Sequence, residues 1–152
     1  MLVARRVGHA AGMRCRHFSA VPGTPPPLCT LLDEESALAA AAWRFAQDRV
    51  APLVRRMDHE GVMDPGLIRA LFEEGLMGIE IPEAHGGCGA SFTSACLVIE
   101  ELAKVDPAVS VMVDIHNTII NNCFSNWASD ELKAEWLPRL ASDTLGMFTP
   151  RC

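Results

Sequence analysis

Asp106-Pro107-Ala108-Val109-Ser110-Val111-Met112-Val113-Asp114-Ile115-His116-Asn117-Thr118-Ile119-Ile120-Asn121-Asn122-Cys123-Phe124 can be read as helix or as strand, and the choice decides the fold class. Val109, Val111, Val113 and Ile115 alternate with other residues at a period of two, and β-branched side chains favour strands. Against this, Asp106-Pro107 is a helix start signal: an N-cap carboxylate followed by proline at the first helical position. Met112, Ile119, Ile120, Cys123 and Phe124 extend the apolar content well past the ~5–6 residues of an ordinary strand. Length and cap together predict a helix. Being apolar on nearly every side, it belongs at the centre of a bundle.

The segments on either side agree. Upstream, Thr30 or Asp33 caps a helix whose Leu38, Ala42, Phe45, Ala46, Val50, Leu53, Val54 and Met57 repeat at three- and four-residue steps. Pro52 predicts a kink in it, and Gly61 stops it. Asp64-Pro65 repeats the start signal for a second helix with Leu67, Ile68, Leu71 and Phe72 facing inward and Gly75 as its left-handed stop. A loop over 76–92, rich in glycine, leads to a third helix over 92–104 that is expected to bury Cys96, Leu97, Ile99 and Leu102. Ser129-Asp130-Glu131 caps a fifth helix with Leu132, Trp136, Leu137 and Leu140 on one face, kinked or shortened at Pro138. Five helices and no convincing strand predict an all-α bundle.

Composition sets outer bounds. The chain has 152 residues, 49% hydrophobic and 21% charged, a one-domain length with enough apolar surface for one core. No apolar run approaches the ~20 residues of a membrane-spanning helix, so a soluble mature protein is expected. Residues 1–32 hold Arg5, Arg6, Arg14 and Arg16 and no acidic side chain, whereas all nineteen Asp and Glu lie beyond them. That acidic body repels phosphate backbones and argues against nucleic-acid binding. Residues 1–20 are arginine-rich, acid-free and amphipathic if helical, the composition of a mitochondrial transit peptide, with a disordered basic tail as the plainer alternative. Residues 21–31, with Pro22 and Pro25-Pro26-Pro27, read as a stiff linker.

Little in the body points to chemistry by itself. The six cysteines contain no Cys-x-x-Cys and form no zinc-like spacing with the histidines. Cys96 and Cys123 read as small core residues. Gly86-Gly87-Cys88-Gly89 lacks the Lys-Ser/Thr of a phosphate loop and reads as a flexible connection. Glu73-Glu74 and Glu100-Glu101 are neighbours on a helix, so each pair diverges by ~100° and cannot address one atom together. His85 and His116 have no sequence partner that would orient them as a base. Ser110 and Asp114 stand four apart on an otherwise apolar helix, which implies a hydrogen-bond network, a ligand cavity or a subunit contact.

Three stretches together resemble one family. Gly78-Ile79-Glu80-Ile81-Pro82-Glu83-Ala84-His85-Gly86-Gly87-Cys88-Gly89 is similar to the loop after the second helix of acyl-CoA dehydrogenases. Glu100-Glu101-Leu102-Ala103-Lys104-Val105-Asp106 resembles the end of their next long helix, and Leu132-Lys133 with Trp136-Leu137-Pro138-Arg139-Leu140 resembles the last helix of their amino-terminal domain. Gly89-Ala90-Ser91-Phe92, Leu97-Val98-Ile99-Glu100-Glu101 and Asn117-Thr118-Ile119-Ile120 narrow the likeness to the mitochondrial branch acting on short and branched acyl chains.

The resemblance covers 32–148 and implies a five-helix amino-terminal domain, followed in the family by a β-domain and a carboxy-terminal helical domain. It implies FAD as cofactor, an acyl-CoA substrate oxidised at Cα–Cβ, electron-transfer flavoprotein as electron acceptor, a homo-tetramer, and a mitochondrial matrix location. Within the family a glutamate removes the α-proton while hydride passes to the flavin; no residue of this chain matches that base, so no catalytic residue is assigned. Carried over by position, Ser110, Val113 and Asp114 line the acyl cavity. Asp114 and His116 depart from the side chains expected in close relatives. Residues 149–152 diverge from the pattern, and the expectation is a truncated product, inactive alone: a non-catalytic interaction module that binds full-length subunits, or an unstable fragment.

Overall fold

In a computed structural model, residues 30–143 are described; the segments assigned above to transit peptide, linker and divergent end lie outside them, apart from Thr30 and Leu31. Every regular element among the described residues is helical. The elements are α1 (Asp33–Phe45), a π-turn (Ala46–Val50), α2 (Val54–Glu60), α3 (Pro65–Glu73), a short 3-10 turn (Glu83–His85), α4 (Phe92–Ala103), α5 (Pro107–Asp114), a π-helical segment (Ile115–Asn121), α6 (Asn122–Trp127) and α7 (Asp130–Ser142). They group into the five rods anticipated from the sequence. The first runs through α1, the π-turn and α2 with a break around Pro52, and the fourth through α5, the π-helical segment and α6.

Local chemistry explains most boundaries. Asp64 caps α3 by accepting from the Leu67 amide at 2.9 Å, and Asp106 caps α5 by accepting from Ala108 at 2.7 Å and Val109 at 3.3 Å. Arg56 pairs with Asp64 across the α2–α3 corner. The Leu67 amide and the Arg56 charge together hold the Asp64 carboxyl below the usual carboxylate range. Gly61 (φ 64°) and Gly75 (φ 73°) take the left-handed backbone that ends α2 and follows α3. At the start of α1 neither Thr30 nor Asp33 is the cap: Leu32 occupies that position, and its amide donates to Glu35 Oε2 at 2.9 Å. Asp33 therefore sits inside the first turn, where its charge favours the helix dipole.

The main core gathers Ala42, Phe45, Val50 and Met57 from the first rod with Leu71 and Phe72 of α3, Val98 and Leu102 of α4, and Val109, Met112 and Val113 of α5. A smaller cluster of Ile81, Leu137, Leu140 and Ala141 seats α7. Pro138 stands inside α7 and does not shorten it, since the helix continues to Ser142. Of that helix's expected inward face, Leu137 and Leu140 are buried but Leu132 is 45% exposed. α4 also turns further than its sequence suggests. Ser94, Ala95, Val98 and Leu102 are buried, while Cys96 faces outward and Leu97 and Ile99 are half-buried. Cys96 and Cys123 are exposed thiols, contrary to the expectation that both fill core space.

The glycine-rich loop is not a slack tether. Cys88 donates to the Gly78 carbonyl at 2.9 Å, Ala90 to Ile79 at 2.8 Å and Gly89 to Ile81 at 2.9 Å, folding the loop back on its own start. Gly87 lies so close to that strand of backbone that a Cβ would fall 2.1 Å from the Ile81 carbonyl oxygen. Glycine is needed there for approach rather than for flexibility.

Candidate functional site

The fourth rod is the element on which the sequence placed a ligand-facing set, and the structure sends its three residues to different surroundings. Ser110 is buried, and its hydroxyl donates to the Ile99 carbonyl of α4 at 2.8 Å. Val113 is wholly enclosed in the main core. Asp114 is half-buried, and its Oδ1 accepts from the Thr118 hydroxyl at 2.8 Å. Of the readings left open for Ser110 and Asp114, hydrogen bonding is what the geometry displays.

Asp114 shares its side of the domain with Glu80 and Cys96. Although Cys96 is exposed, desolvation by its surroundings pushes the thiol up from its ordinary value, and the nearby charges of Glu80 and Asp114 push it further. Burial also raises the Glu80 carboxyl, opposed by the Asn122 amide, which donates to Glu80 Oε2 at 3.4 Å. The patch is acidic and draws on the loop, α4 and the fourth rod. A thiol raised in this way is a poor nucleophile at neutral pH.

Three buried polar residues stand on the same rod; the inward roles of Asn117 and Asn121 escaped the sequence reading, whereas His116 reads there as a lone histidine without an orienting partner. Asn117 is fully buried; its Oδ1 accepts from the Ile79 amide at 3.1 Å, and its Nδ2 donates to Leu76 and Val113 carbonyls at 2.9 Å each. Asn121 donates to the Met77 carbonyl at 2.8 Å, while its Oδ1 accepts no hydrogen bond among the described residues. His116, also fully buried, places Nε2 2.9 Å from the Leu140 carbonyl of α7 and meets Phe72 edge to face. Burial holds its imidazole below the ordinary histidine value.

The wider turns of the π-helical segment bring His116, Asn117 and Asn121 to the inward side together. Together they bond backbone groups of the loop after α3 and of α7. The signal was available in principle: asparagines four apart inside an apolar helix raise the same question as Ser110 and Asp114.

Among the described residues no group of three or more His, Cys, Asp or Glu side chains could hold a metal ion, and no helix is long and apolar enough to cross a membrane. A cavity of about 520 Å³ lies where the amino-termini of α1 and α4 meet, lined by Glu34, Glu35, Glu83, Cys88, Ser91 and Ser94 among others. Three carboxylates there repel a pyrophosphate, so these residues do not fit the diphosphate of a dinucleotide.

The architecture is thus five helical rods with a glycine-bearing loop held between the second and third. A family model described as "Acyl-CoA dehydrogenase, N-terminal domain" matches residues 32–144, and the chain belongs to the acyl-CoA dehydrogenase family. It is 48% identical over 128 residues to the mitochondrial short/branched chain specific acyl-CoA dehydrogenase of Bos taurus, covering 83% of this chain and 30% of that protein. A probable short/branched chain specific acyl-CoA dehydrogenase of Dictyostelium discoideum is 41% identical over 133 residues, 88% of this chain and 32% of that protein. Among solved structures, butyryl-CoA dehydrogenase from Megasphaera elsdenii superposes with a TM-score of 0.69 at 29% identity, over 74% of this chain and 30% of that one. The chain thus spans about 30% of the length of the relatives it matches.

Proposed function

We propose that this chain is the amino-terminal helical part of a mitochondrial matrix enzyme that oxidises short, branched acyl-CoA thioesters at Cα–Cβ. The observation that supports it is the 48% identity to a mitochondrial dehydrogenase named for short and branched chains, over the region that folds as the family's helical domain. The full enzyme uses FAD, hands electrons to electron-transfer flavoprotein and assembles as a tetramer. The role of these helices is to wall the acyl cavity, with Asp114 reaching the chain and Ser110 and Val113 fixing the position of the wall. The 152 residues alone are inactive, because a dehydrogenation needs a flavin and a base held in one geometry.

Two measurements test this. The purified chain is expected to show no flavin absorbance and no acyl-CoA-dependent dye reduction. The same helices grafted in place of the matching domain of a full-length relative are expected to support turnover of a 2-methyl-branched short acyl-CoA. A folded, flavin-loaded graft that turns over only straight long chains refutes the assigned substrate class.

A second reading, a non-catalytic module that binds full-length subunits, is favoured by the exposed Val111, Ile119 and Trp127 on the fourth rod (Trp127 is 86% exposed). Co-purification with a full-length relative supports it, and a monodisperse monomer that ignores that relative counts against it.

A further inference from the structure

α7 is attached differently from the other rods. The main core holds eighteen buried residues from α1 through α5, none of them from α7. The second cluster has four, Ile81, Leu137, Leu140 and Ala141, edged by Ile120, Phe124 and Trp136. α7 reaches this seat by a close approach to the loop: a Cβ on Gly78 would stand 3.1 Å from the Ala141 Cβ and 3.2 Å from its Cα. The His116–Leu140 contact ties the middle of the fourth rod to the last turn of α7. Ala128, in extended backbone between α6 and α7, interrupts the helix and supplies a place to bend.

We infer that α7 (Asp130–Ser142) is a lid that opens as a unit while α1 through α5 stay closed, uncovering His116 and the apolar side chains Ile81, Ile120 and Phe124. The physical basis is the separation of the two clusters. A segment detaches locally when the apolar area it buries is small and its contacts with the rest of the core are few. Opening costs α7 the burial of Leu137, Leu140 and Ala141, the His116–Leu140 contact and its packing against α3, while the eighteen residues of the main core keep one another as neighbours.

Amide hydrogen exchange on the full 152-residue chain, read by mass spectrometry on peptides from each helix, tests the lid. After correction for intrinsic rates, α7 amides are expected to exchange at least about tenfold faster than those of α1 and α4. Leu137→Ala is expected to speed α7 at least about thirtyfold more, the loss of a buried leucine expressed as a rate ratio, and to leave α1 and α4 unchanged. Gly78→Ala, which pushes on Ala141 from the loop side, is expected to act in the same direction on α7 alone. Protection of α7 equal to that of α1 and α4 in the unaltered chain overturns the inference. So does a uniform rise across all helices in both variants, because α7 would then leave only when the whole domain unfolds.

Discussion

Replacing Asn117 with alanine is the sharpest test of how this domain is held together. Asn117 is fully buried, and its amide serves three backbone groups: it accepts from the Ile79 amide and donates to the Leu76 and Val113 carbonyls. Val113 stands one helical turn earlier on the same rod and its carbonyl has a second possible partner in the helix ladder. The Ile79 amide and the Leu76 carbonyl belong to the loop after α3, outside any helix ladder.

Alanine would leave both without a partner inside the core, and each buried unsatisfied group costs about 1–3 kcal/mol. The two together predict a loss of about 2–6 kcal/mol, a large part of the ~5–15 kcal/mol that holds a domain of this kind. Urea denaturation followed by far-ultraviolet circular dichroism measures it, with Asn126→Ala as control. Asn126 is exposed and among the described residues its side chain bonds Asn122, one turn away, so its loss should fall within about 0.5 kcal/mol. Asn117→Asp keeps the acceptor for Ile79 but loses both donations and brings in a charge. It should destabilise at neutral pH and recover in part as the carboxyl protonates. A loss below about 1 kcal/mol for Asn117→Ala would show that the loop is held by its own hydrogen bonds and not by the asparagine.

Gly87→Ala drives a Cβ to within 2.1 Å of the Ile81 carbonyl oxygen, which is backbone and cannot rotate away; a loss of about 2–3 kcal/mol in the same denaturation assay is expected. Asp64→Ala and Asp106→Ala each remove an N-cap and should cost about 1 kcal/mol, with Asp106 the greater because it serves two amides and is itself buried. Stability should also fall on acidification through His116. Its folded value lies below that of the unfolded chain, so its contribution is complete above the ordinary histidine range and is lost as pH drops through the folded value. The slope from this one group is at most about 1.4 kcal/mol per pH unit, and His116→Gln should flatten the profile between neutral and mildly acid pH.

Much of the architecture is written locally in the chain. Asp64-Pro65, Asp106-Pro107 and Ser129 mark helix starts because a carboxylate or hydroxyl beside free amides acts over three residues and needs no distant partner. The apolar stripe from Leu38 to Met57 has a single wide face, so its inward side follows from spacing alone. The choice of helix over strand for 107–124 was likewise settled by the cap and the length.

Only the tertiary structure decided which way the more ambiguous helices turn. α4 is apolar on more than one side, so Ala95 and Val98 went inward and Cys96 outward according to what α1 and α5 offered. The π-helical winding, and with it the inward placement of His116, Asn117 and Asn121, depends on backbone groups thirty-eight to forty-four positions earlier in the chain (Ile79, Leu76 and Met77) and on Leu140 beyond it. Caps and stripes are short-range and leave a readable trace in sequence; a buried amide that pairs with a remote loop has no periodicity to betray it until the chain is packed.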